Sequence, residues 1–273
     1  MSKTILTEEQ EKDIVYKYTQ LNISKNKLRL EYGVSEGTIR RALLRNNVQL
    51  RTLQETNVSK YNIDDTFFEY NKQTSDSVYT IGLIASDGTV AKDENMICIE
   101  LQQSDREILE KVNNALQNER PIKDYTRSNG YKNSKLYFHS KKMKQDLALY
   151  DIIPNKTYEA DDFIKHIKPE FFWDFIRGFF DGDGSIVNPN STIRWQLDGV
   201  CLKTFQHIQE IMLSQYYIET KIVFSPDEKS TIPKYRLYCY SQDKCKKIFD
   251  LMYQNPNCIK MDRKYNRFLE LLK

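Results

Sequence analysis

The stretch FIRGFFDGDGSIV, residues 175–187, decides the fold of this chain, because a stretch of the same form lies earlier in the sequence. The earlier stretch is YTIGLIASDGTV, residues 79–90. Each places an apolar block before an Asp-Gly pair, and the two pairs begin at Asp87 and Asp183, which are 96 positions apart. The later stretch carries an additional acid, Asp181, where the earlier one has Ala85. A role shared by the two stretches therefore cannot depend on Asp181, which is interpreted as a polar group at a helix end.

The same offset aligns an apolar pattern that continues, without a gap, well beyond the two stretches. Agreement of a whole pattern at one fixed offset indicates an internal duplication. The aligned pairs include Gly82 with Gly178, Leu101 with Leu197, Leu109 with Phe205, Val112 with Ile208, and Leu116 with Met212.

Each copy is predicted to fold as helix, two strands, helix, two strands and helix, from its alternating and helical periodicities. The fold class is therefore predicted as α+β, with two αββαββα repeats related by a pseudo-twofold axis and each bearing an antiparallel sheet. The first repeat is predicted over residues 76–158 and the second over residues 159–273. In the first repeat, a helix is predicted to end near Asp87, followed by strands over 89–92, 96–101, 122–126 and 135–138. The strands predicted in the second repeat are 185–188, 193–197, 221–225 and 235–240.

Small residues in the two repeat helices predict that these helices pack closely on each other. Gly82 and Gly178 are each followed, four residues later, by another small residue. Small residues at this spacing let two helix backbones approach. The acids that follow, Asp87 and Asp183, would then lie side by side near the pseudo-twofold axis.

Two carboxylates held together in a partly desolvated site repel each other, and bound cations would keep both ionised. Asp87 and Asp183, with the backbone carbonyls of Ser86 and Gly182, are oxygen donors suited to Mg²⁺, for which Mn²⁺ can substitute. Such a metal can activate water and stabilise the leaving oxygen of a phosphodiester. A purely structural role is the alternative, because Asp-Gly is a common turn. An EF-hand loop is excluded, because Phe179 stands where that loop needs an acid.

The exposed faces of the predicted sheets carry basic and tyrosine side chains. Strands of this kind can lie in the major groove of DNA as β-ribbons, where lysine and arginine reach phosphates and base edges. Solvated faces of an ordinary α+β protein are the alternative. The basic residues predicted to contact DNA are Lys92, Lys123, Arg127 and Lys135 in the first repeat, and Arg194, Lys221, Lys234 and Arg236 in the second.

Residues 1–51 are predicted to form a small all-α domain with a helix-turn-helix motif. LRLEYGVSEGTIRRALLRNNV, residues 28–48, has the pattern of helix, glycine-containing turn and helix,. Ser35 can cap the third helix, with Ile39 and Leu43 as its buried pair. A solvated three-helix unit is the alternative. The residues of the third helix predicted to contact DNA are Thr38, Arg40, Arg41 and Arg45,.

Composition adds few constraints on function. The chain has 273 residues, a net charge of +3 and five cysteines without a Cys-x-x-Cys pair, so neither structural zinc nor a disulfide framework is expected. No signal-peptide pattern or apolar run of transmembrane length is present, so a cytoplasmic protein without a membrane partner is expected. Residues 52–75 follow no sustained period and are predicted to be a linker.

The motifs GLIASDG and GFFDGDG resemble the signature of the LAGLIDADG homing endonucleases, and two copies in one chain resemble the single-chain form of that family. The resemblance extends from about residue 76 to the C-terminus. It implies a monomer in which Asp87 and Asp183 hold Mg²⁺ and both strands of a long, asymmetric double-stranded DNA target are cut. The N-terminal helix-turn-helix is a departure from the minimal enzyme of the family.

The resemblance also implies two further catalytic positions in each repeat. A polar residue after the second strand would hold water, and Gln103 fits that place, whereas its repeat partner is Gly199. A lysine after the fourth strand is also implied, and Lys141 fits, whereas the second repeat offers Gln242. The two halves of the site are therefore expected to be unequal.

The sequence thus predicts a site-specific, metal-dependent homing endonuclease. A non-cleaving DNA-binding transcription regulator on the same scaffold is the first alternative, although such a protein would be expected to lose one or both acids. An RNA maturase that helps an intron to fold is the second alternative, because the same basic strands could serve it.

Overall fold

The computed structural model describes residues 6–21, 23–51, 61–160, 162–189, 192–225 and 232–273. The chain divides into two compact units, Met1–Asn62 and Ile63–Lys273. The first unit contains the predicted helix-turn-helix segment, and the second contains both repeats. The finer domain boundaries given above stay predictions.

The first unit is built from three helices around one small apolar core. Gly33, between the second and third helices, has a φ of +62°, a left-handed conformation that glycine adopts without steric cost. The helices are α1 (Glu8–Thr19), α2 (Lys25–Glu31) and α3 (Glu36–Arg45), with side-chain N-caps at Thr7, Ser24 and Ser35. The core consists of Leu6, Ile14, Tyr18, Leu28, Ile39, Ala42 and Leu43.

The first repeat contains three helices and an antiparallel four-stranded sheet with strand order β1-β2-β4-β3. Its elements are α4 (Ser75–Asp87), β1 (Gly88–Val90), β2 (Met96–Gln102), α5 (Arg106–Ala115), β3 (Lys123–Thr126), β4 (Lys132–His139) and α6 (Lys141–Ala148). A single helical turn, α7 (Lys156–Glu159), lies in the connection to the second repeat.

The second repeat has the same order of elements, and its sheet has the equivalent strand order β5-β6-β8-β7. Its elements are α8 (Phe172–Asp183), β5 (Gly184–Val187), β6 (Arg194–Gly199), α9 (Leu202–Tyr216), β7 (Lys221–Phe224), β8 (Tyr235–Tyr240) and α10 (Gln242–Met252). The two equivalent sheets confirm the predicted α+β fold with pseudo-twofold repeats.

One further helix, α11 (Asp262–Leu271), follows the second repeat and was not predicted from the sequence. Phe268 of α11 is fully buried. Its ring lies 5.9 Å from that of Phe180 in α8 and 5.1 Å from that of Phe249 in α10, measured between ring centroids. This aromatic packing holds α11 against α8 and α10.

The helices α4 and α8 pack directly against each other, backbone to backbone. A β-carbon added to Gly82 would overlap the carbonyl oxygen of Phe175 and lie 2.9 Å from the amide nitrogen of Phe179. One added to Gly178 would overlap the carbonyl oxygen of Tyr79. Gly82 and Gly178 therefore form the close contact that the sequence predicted for them.

Candidate functional site

Asp87 and Asp183 are the last residues of the two packed helices, α4 and α8. The Asp87 carboxylate rests against the other helix, because a β-carbon on Gly182 would lie 2.9 Å from Asp87 Oδ2. Asp87 is half-buried, whereas the side chain of Asp183 is exposed. The packing of α4 on α8 thus brings one acid from each repeat to the same end of the helix pair.

The surroundings disfavour ionisation of both acids. Burial raises the pKa of Asp87 to about 6, and the charge of Asp183 adds to the rise. The protein around Asp183 also raises the pKa of its carboxyl, although its side chain is accessible from a neighbouring cavity. A nearby positive charge would therefore favour the ionised form of each carboxyl group.

Two lysine side chains reach the C-terminal ends of the packed helices. Lys264, from α11, donates hydrogen bonds to the carbonyl oxygens of Phe180 (2.8 Å), Gly182 (2.7 Å) and Gly184 (2.8 Å). Lys156, from α7, donates one to the carbonyl oxygen of Ser86 at 3.1 Å. Ser86 O and Gly182 O belong to the last turns of the two helices, whose carbonyls lack partners within the helix. The two ammonium groups also place positive charge beside the acids.

The acids and the lysines are paired across the two repeats. Gly182, whose carbonyl accepts from Lys264, lies against Asp87. Ser86, whose carbonyl accepts from Lys156, lines one cavity together with Lys156 and Asp183. The site thus has two halves. The first half comprises Asp87, Gly182 and Lys264, and the second comprises Asp183, Ser86 and Lys156.

A cavity of about 320 Å³ opens beside Asp183. Ser86, Lys156, Asp198 and Lys234 contribute polar side chains to its wall. The apolar part of the wall is formed by Ala85, Phe163, Phe179, Val200, Cys201 and Phe205. The cavity gives the second half of the site access to solvent and to a ligand.

Asp198, at the end of β6, is a further acid at the cavity that the sequence did not single out. Its Oδ1 accepts from Arg236 Nε at 2.7 Å and its Oδ2 accepts from Gln196 Nε2 at 3.0 Å. Gln196 is buried, and its Oε1 has no partner among the described atoms. The side-chain amide of Gln196, with an unused acceptor, is therefore held next to Asp198.

The catalytic roles assigned to Gln103 and Lys141 from the sequence stay predictions. Gln103 begins a short 3₁₀ helix after β2 and is exposed. Lys141 begins α6 and lines a separate cavity with Asn95 and Lys144. The ammonium groups beside the acids belong to Lys156 and Lys264, which follow the third helix of each repeat rather than its fourth strand. The sequence signal for Lys156 is the segment DIIPNKT, whereas Lys264 becomes evident only once α11 is placed.

Asp181 is not simply a polar group at a helix end, as the sequence suggested. It is fully buried, and its Oδ2 accepts hydrogen bonds from Tyr79 Oη and from the Met261 backbone amide, both at 2.8 Å. Burial raises the pKa of Asp181 to about 6, against the opposing effect of these hydrogen bonds. Asp181 therefore ties α4 and the segment before α11 to α8.

The raised pKa of Asp181 predicts a specific pH dependence of stability. A carboxyl with a pKa of about 6 in the folded chain and about 4 in the unfolded chain binds its proton more tightly when folded. Its contribution is fully present below about pH 4 and is lost as the pH rises through about 6, by at most about 3 kcal/mol. Asp181→Asn should remove this part of the pH dependence.

The test is the free energy of unfolding of wild-type protein and Asp181→Asn, measured by urea denaturation at several pH values without divalent metal. The difference between the two proteins isolates Asp181, because Asp87 contributes to both. We expect the variant to gain stability relative to wild type as the pH rises. A difference that is independent of pH would contradict the assignment.

The strand register groups most of the basic residues predicted to contact DNA. Lys123 and Lys135 are partners on β3 and β4. Arg194, Lys221 and Arg236 share one face of the second sheet, since their register partners Tyr240, Tyr238 and Asp198 alternate along β6 and β8. The other predicted residues differ: Arg127 is paired with Glu100, Lys92 is exposed in the turn after β1, and Lys234 lines the cavity.

In the first unit, α3 presents a polar surface opposite its buried residues. Arg40 and Arg41 are exposed. Thr38 shares a 2.9 Å hydrogen bond with the capping hydroxyl of Ser35. Arg45 is exposed but is paired with Glu11 of α1. Arg40 and Arg41 are therefore the side chains of α3 best placed for a ligand.

The donor set at the helix ends fits a hard divalent cation. Within the described ranges, no three His, Cys, Asp or Glu side chains cluster so as to hold a metal ion, so a metal here would rely on two carboxylates, carbonyl oxygens and water. Mg²⁺ accepts such a set, because it binds few protein oxygens and keeps several waters. Ser86 O and Gly182 O already accept lysine protons, and each carbonyl keeps a second lone pair. No helix in the described part of the chain is long and apolar enough to cross a membrane.

Comparison with known proteins gives one curated relative and several solved structures. The uncharacterized protein MJ0314 of Methanocaldococcus jannaschii is 28% identical over 152 residues, which are 55% of this chain and 54% of that protein. This chain therefore spans about half the length of that relative. The meganuclease I-SmaMI, bound to uncleaveable DNA, aligns with 13% identity and a TM-score of 0.48 over 71% of this chain and 87% of its own.

Two further solved structures are similar at comparable levels. The N-terminal LAGLIDADG domain of DUF199/WhiA aligns with 16% identity and a TM-score of 0.45, covering 75% of this chain and 94% of that one. The homing endonuclease I-WcaI, bound to its DNA recognition sequence, aligns with 15% identity and a TM-score of 0.46, covering 72% and 90%.

A family model matches part of the chain. Residues 78–154 match the LAGLIDADG-like domain. The matched residues run through the motif-bearing part of α4, the first sheet and α6. The first repeat is therefore similar to a LAGLIDADG-like domain, and the second repeat reproduces the same order of elements.

Proposed function

We propose that this protein is a site-specific DNA endonuclease that hydrolyses both strands of a long, asymmetric double-stranded target with Mg²⁺. The observation that carries the proposal is the pair Asp87 and Asp183, brought from separate repeats to one end of the packed helices α4 and α8. The raised pKa of each acid supports it, because a divalent cation would relieve the cost of ionising both,.

In this proposal, the sheets, the two acids and the two lysines have different roles. The two sheets bind the duplex through Lys123, Lys135 and their counterparts on the second sheet, which positions a scissile phosphate at each half of the site. Asp87 and Asp183 hold the metal, which when bound would supply an activated water and stabilise the charge on the leaving oxygen. Lys156 and Lys264 keep positive charge beside the acids, where negative charge develops on the phosphate.

The helix-turn-helix unit would extend the recognised sequence. We expect Arg40 and Arg41 to contact phosphate or base edges, as the exposed basic residues of a recognition helix do. Arg45 would contribute less, because it is paired with Glu11.

This role predicts a change in the salt dependence of DNA binding. Replacing both Arg40 and Arg41 with glutamine should weaken binding and reduce the slope of log affinity against log salt by about 1 for each phosphate that is no longer neutralised. Lys12→Gln, which removes an exposed charge from α1, is the matched control. An unchanged affinity and slope in the double variant would contradict a DNA-binding role for α3.

A non-cleaving DNA-binding regulator is the second candidate, because the same sheets and helix-turn-helix would serve it, and an RNA maturase is the third. The retention of both acids favours the endonuclease. The test is incubation of the protein and Mg²⁺ with DNA of its host locus that lacks the element encoding it. A double-strand break supports the endonuclease. Tight binding without nicking, in Mg²⁺ or Mn²⁺, would favour the regulator.

A further inference from the structure

The two halves of the site differ in how freely their charged groups can reach a ligand. In the first half, Asp87 is half-buried against Gly182. In the second half, the Asp183 side chain is exposed and lines the cavity of about 320 Å³. A hydrated divalent cation can therefore approach Asp183 without displacement of protein atoms.

The two lysines differ in how many of their hydrogen-bond donors are already used within the protein. An ammonium group has three donors, and Lys264 uses all three on the carbonyls of Phe180, Gly182 and Gly184. Among the residues that the structure describes, Lys156 makes a single hydrogen bond, to Ser86 O at 3.1 Å, so its remaining donors can bind a phosphate oxygen. Lys264 is thus held as a cap on α8, and Lys156 is available to substrate.

The neighbouring acids are paired in both halves. In the first half, Asp105 is engaged by both Nε and Nη2 of Arg263, at 3.1 Å and 3.0 Å. In the second half, Asp198 is engaged by Arg236 Nε at 2.7 Å and Gln196 Nε2 at 3.0 Å. The difference between the halves therefore lies in Asp183 and Lys156, which line the cavity.

We infer that the two halves act in a fixed order: the half formed by Asp183, Ser86 and Lys156 binds a divalent cation and a scissile phosphate first, and the half formed by Asp87, Gly182 and Lys264 follows. This inference rests on the proposed function. Its consequence is a nicked intermediate in which the same strand, the one beside Asp183, is always cut first.

The first test needs no DNA and no activity. Calorimetric titration of the intact protein with Mn²⁺ should show one ion bound more tightly than any other. Asp183→Asn should weaken this binding by about tenfold or more, whereas Asp87→Asn should weaken it less. Equal losses in the two variants, or the larger loss in Asp87→Asn, would overturn the inference.

The second test follows each strand of the cleaved DNA separately, with a different label on each strand, under single-turnover conditions. Wild-type protein should accumulate one nicked species, and Lys156→Met should slow the first nick more than the second. Lys264→Met, checked for folding by its melting temperature, should slow the second nick more. Equal rates for the two strands, or the reverse effects, would overturn the inference.

The two tests separate this inference from the proposed function. If the DNA is never cut, the endonuclease proposal fails, and the Mn²⁺ titration still decides whether the Asp183 half binds metal first. If the DNA is cut but both strands are cut at one rate, the endonuclease proposal stands and the order fails. Lys246→Met, which removes a lysine from the exposed surface of α10, is the control for a general loss of positive charge.

Discussion

Asp183→Asn is expected to lower the rate of DNA cleavage by about a thousandfold, which corresponds to about 4 kcal/mol of lost transition-state stabilisation. Asparagine keeps the shape of the side chain but removes the negative charge that would hold the metal. The variant should fold normally, because the Asp183 side chain is exposed and its raised pKa indicates that the charge does not stabilise the fold.

The measurement is single-turnover cleavage of target DNA in Mg²⁺, together with the affinity for the same DNA in Ca²⁺. Affinity should change little, since under the proposed function the sheets and α3 would supply the DNA contacts. Asp93→Asn, an exposed carboxylate in the turn after β1, is the matched control and should cleave at the wild-type rate. Full activity in Asp183→Asn would remove Asp183 from the mechanism.

Gly178→Ala is expected to destabilise the second unit by about 3 kcal/mol or more, at the upper end of what overpacking costs. The added carbon would overlap Tyr79 O and lie 3.0 Å from Leu83 N, so it would meet backbone of α4 rather than a side chain that can rotate away. The helices would have to separate, and Asp87 and Asp183 would move with them. Cleavage should therefore fall in protein that still folds.

The measurement is the midpoint of urea or thermal unfolding of the unit that carries the substitution, which is the second unit for Gly178→Ala and the first for Gly37→Ala. Gly37→Ala is the control for the chemical change itself, because its added carbon would have only ordinary contact, at 3.7 Å from Ser35 Oγ. Alanine should be neutral or slightly stabilising there, as in other helices. Wild-type stability in Gly178→Ala would show that α4 and α8 can pack at a larger separation.

The repeats could be predicted from the sequence because their signals are local and occur twice. The strand predicted over residues 235–240 is β8 (Tyr235–Tyr240), and the helix predicted to end near Asp87 does so. Agreement is poorer where one strand meets loops: β4 begins at Lys132, three residues before the predicted start at Lys135. Cross-strand pairing, rather than local pattern, extends that strand.

The acids could be predicted from the sequence, but their partners could not. Asp87 and Asp183 are evident from the motif and from the glycines before them. Lys264 and Asp198 act through contacts between segments distant in the chain, which neither periodicity nor spacing encodes. The position of Lys141 after the fourth strand predicts a catalytic lysine, and the structure shows that this side chain lines a cavity with Asn95 and Lys144.

The buried position of Asp181 was missed for a related reason. The equivalent position in the first repeat is Ala85, so a role shared by the two repeats was excluded, and a local polar role was inferred instead. Its partners, Tyr79 and Met261, lie on α4 and just before α11. A polar group can be buried when hydrogen-bond partners surround it. The partners of Asp181 come from distant parts of the sequence and meet only in the folded chain.

The most direct test of the central claim is a crystal structure of the protein with DNA and Mn²⁺, with anomalous diffraction recorded at the manganese edge. We predict an anomalous peak at the ends of α4 and α8, within bonding distance of the Asp87 or Asp183 carboxylate and of a phosphate oxygen of the DNA. DNA bound across the two sheets, with manganese absent from these acids or located elsewhere, would contradict the claim that this acid pair is the metal-dependent cleavage centre.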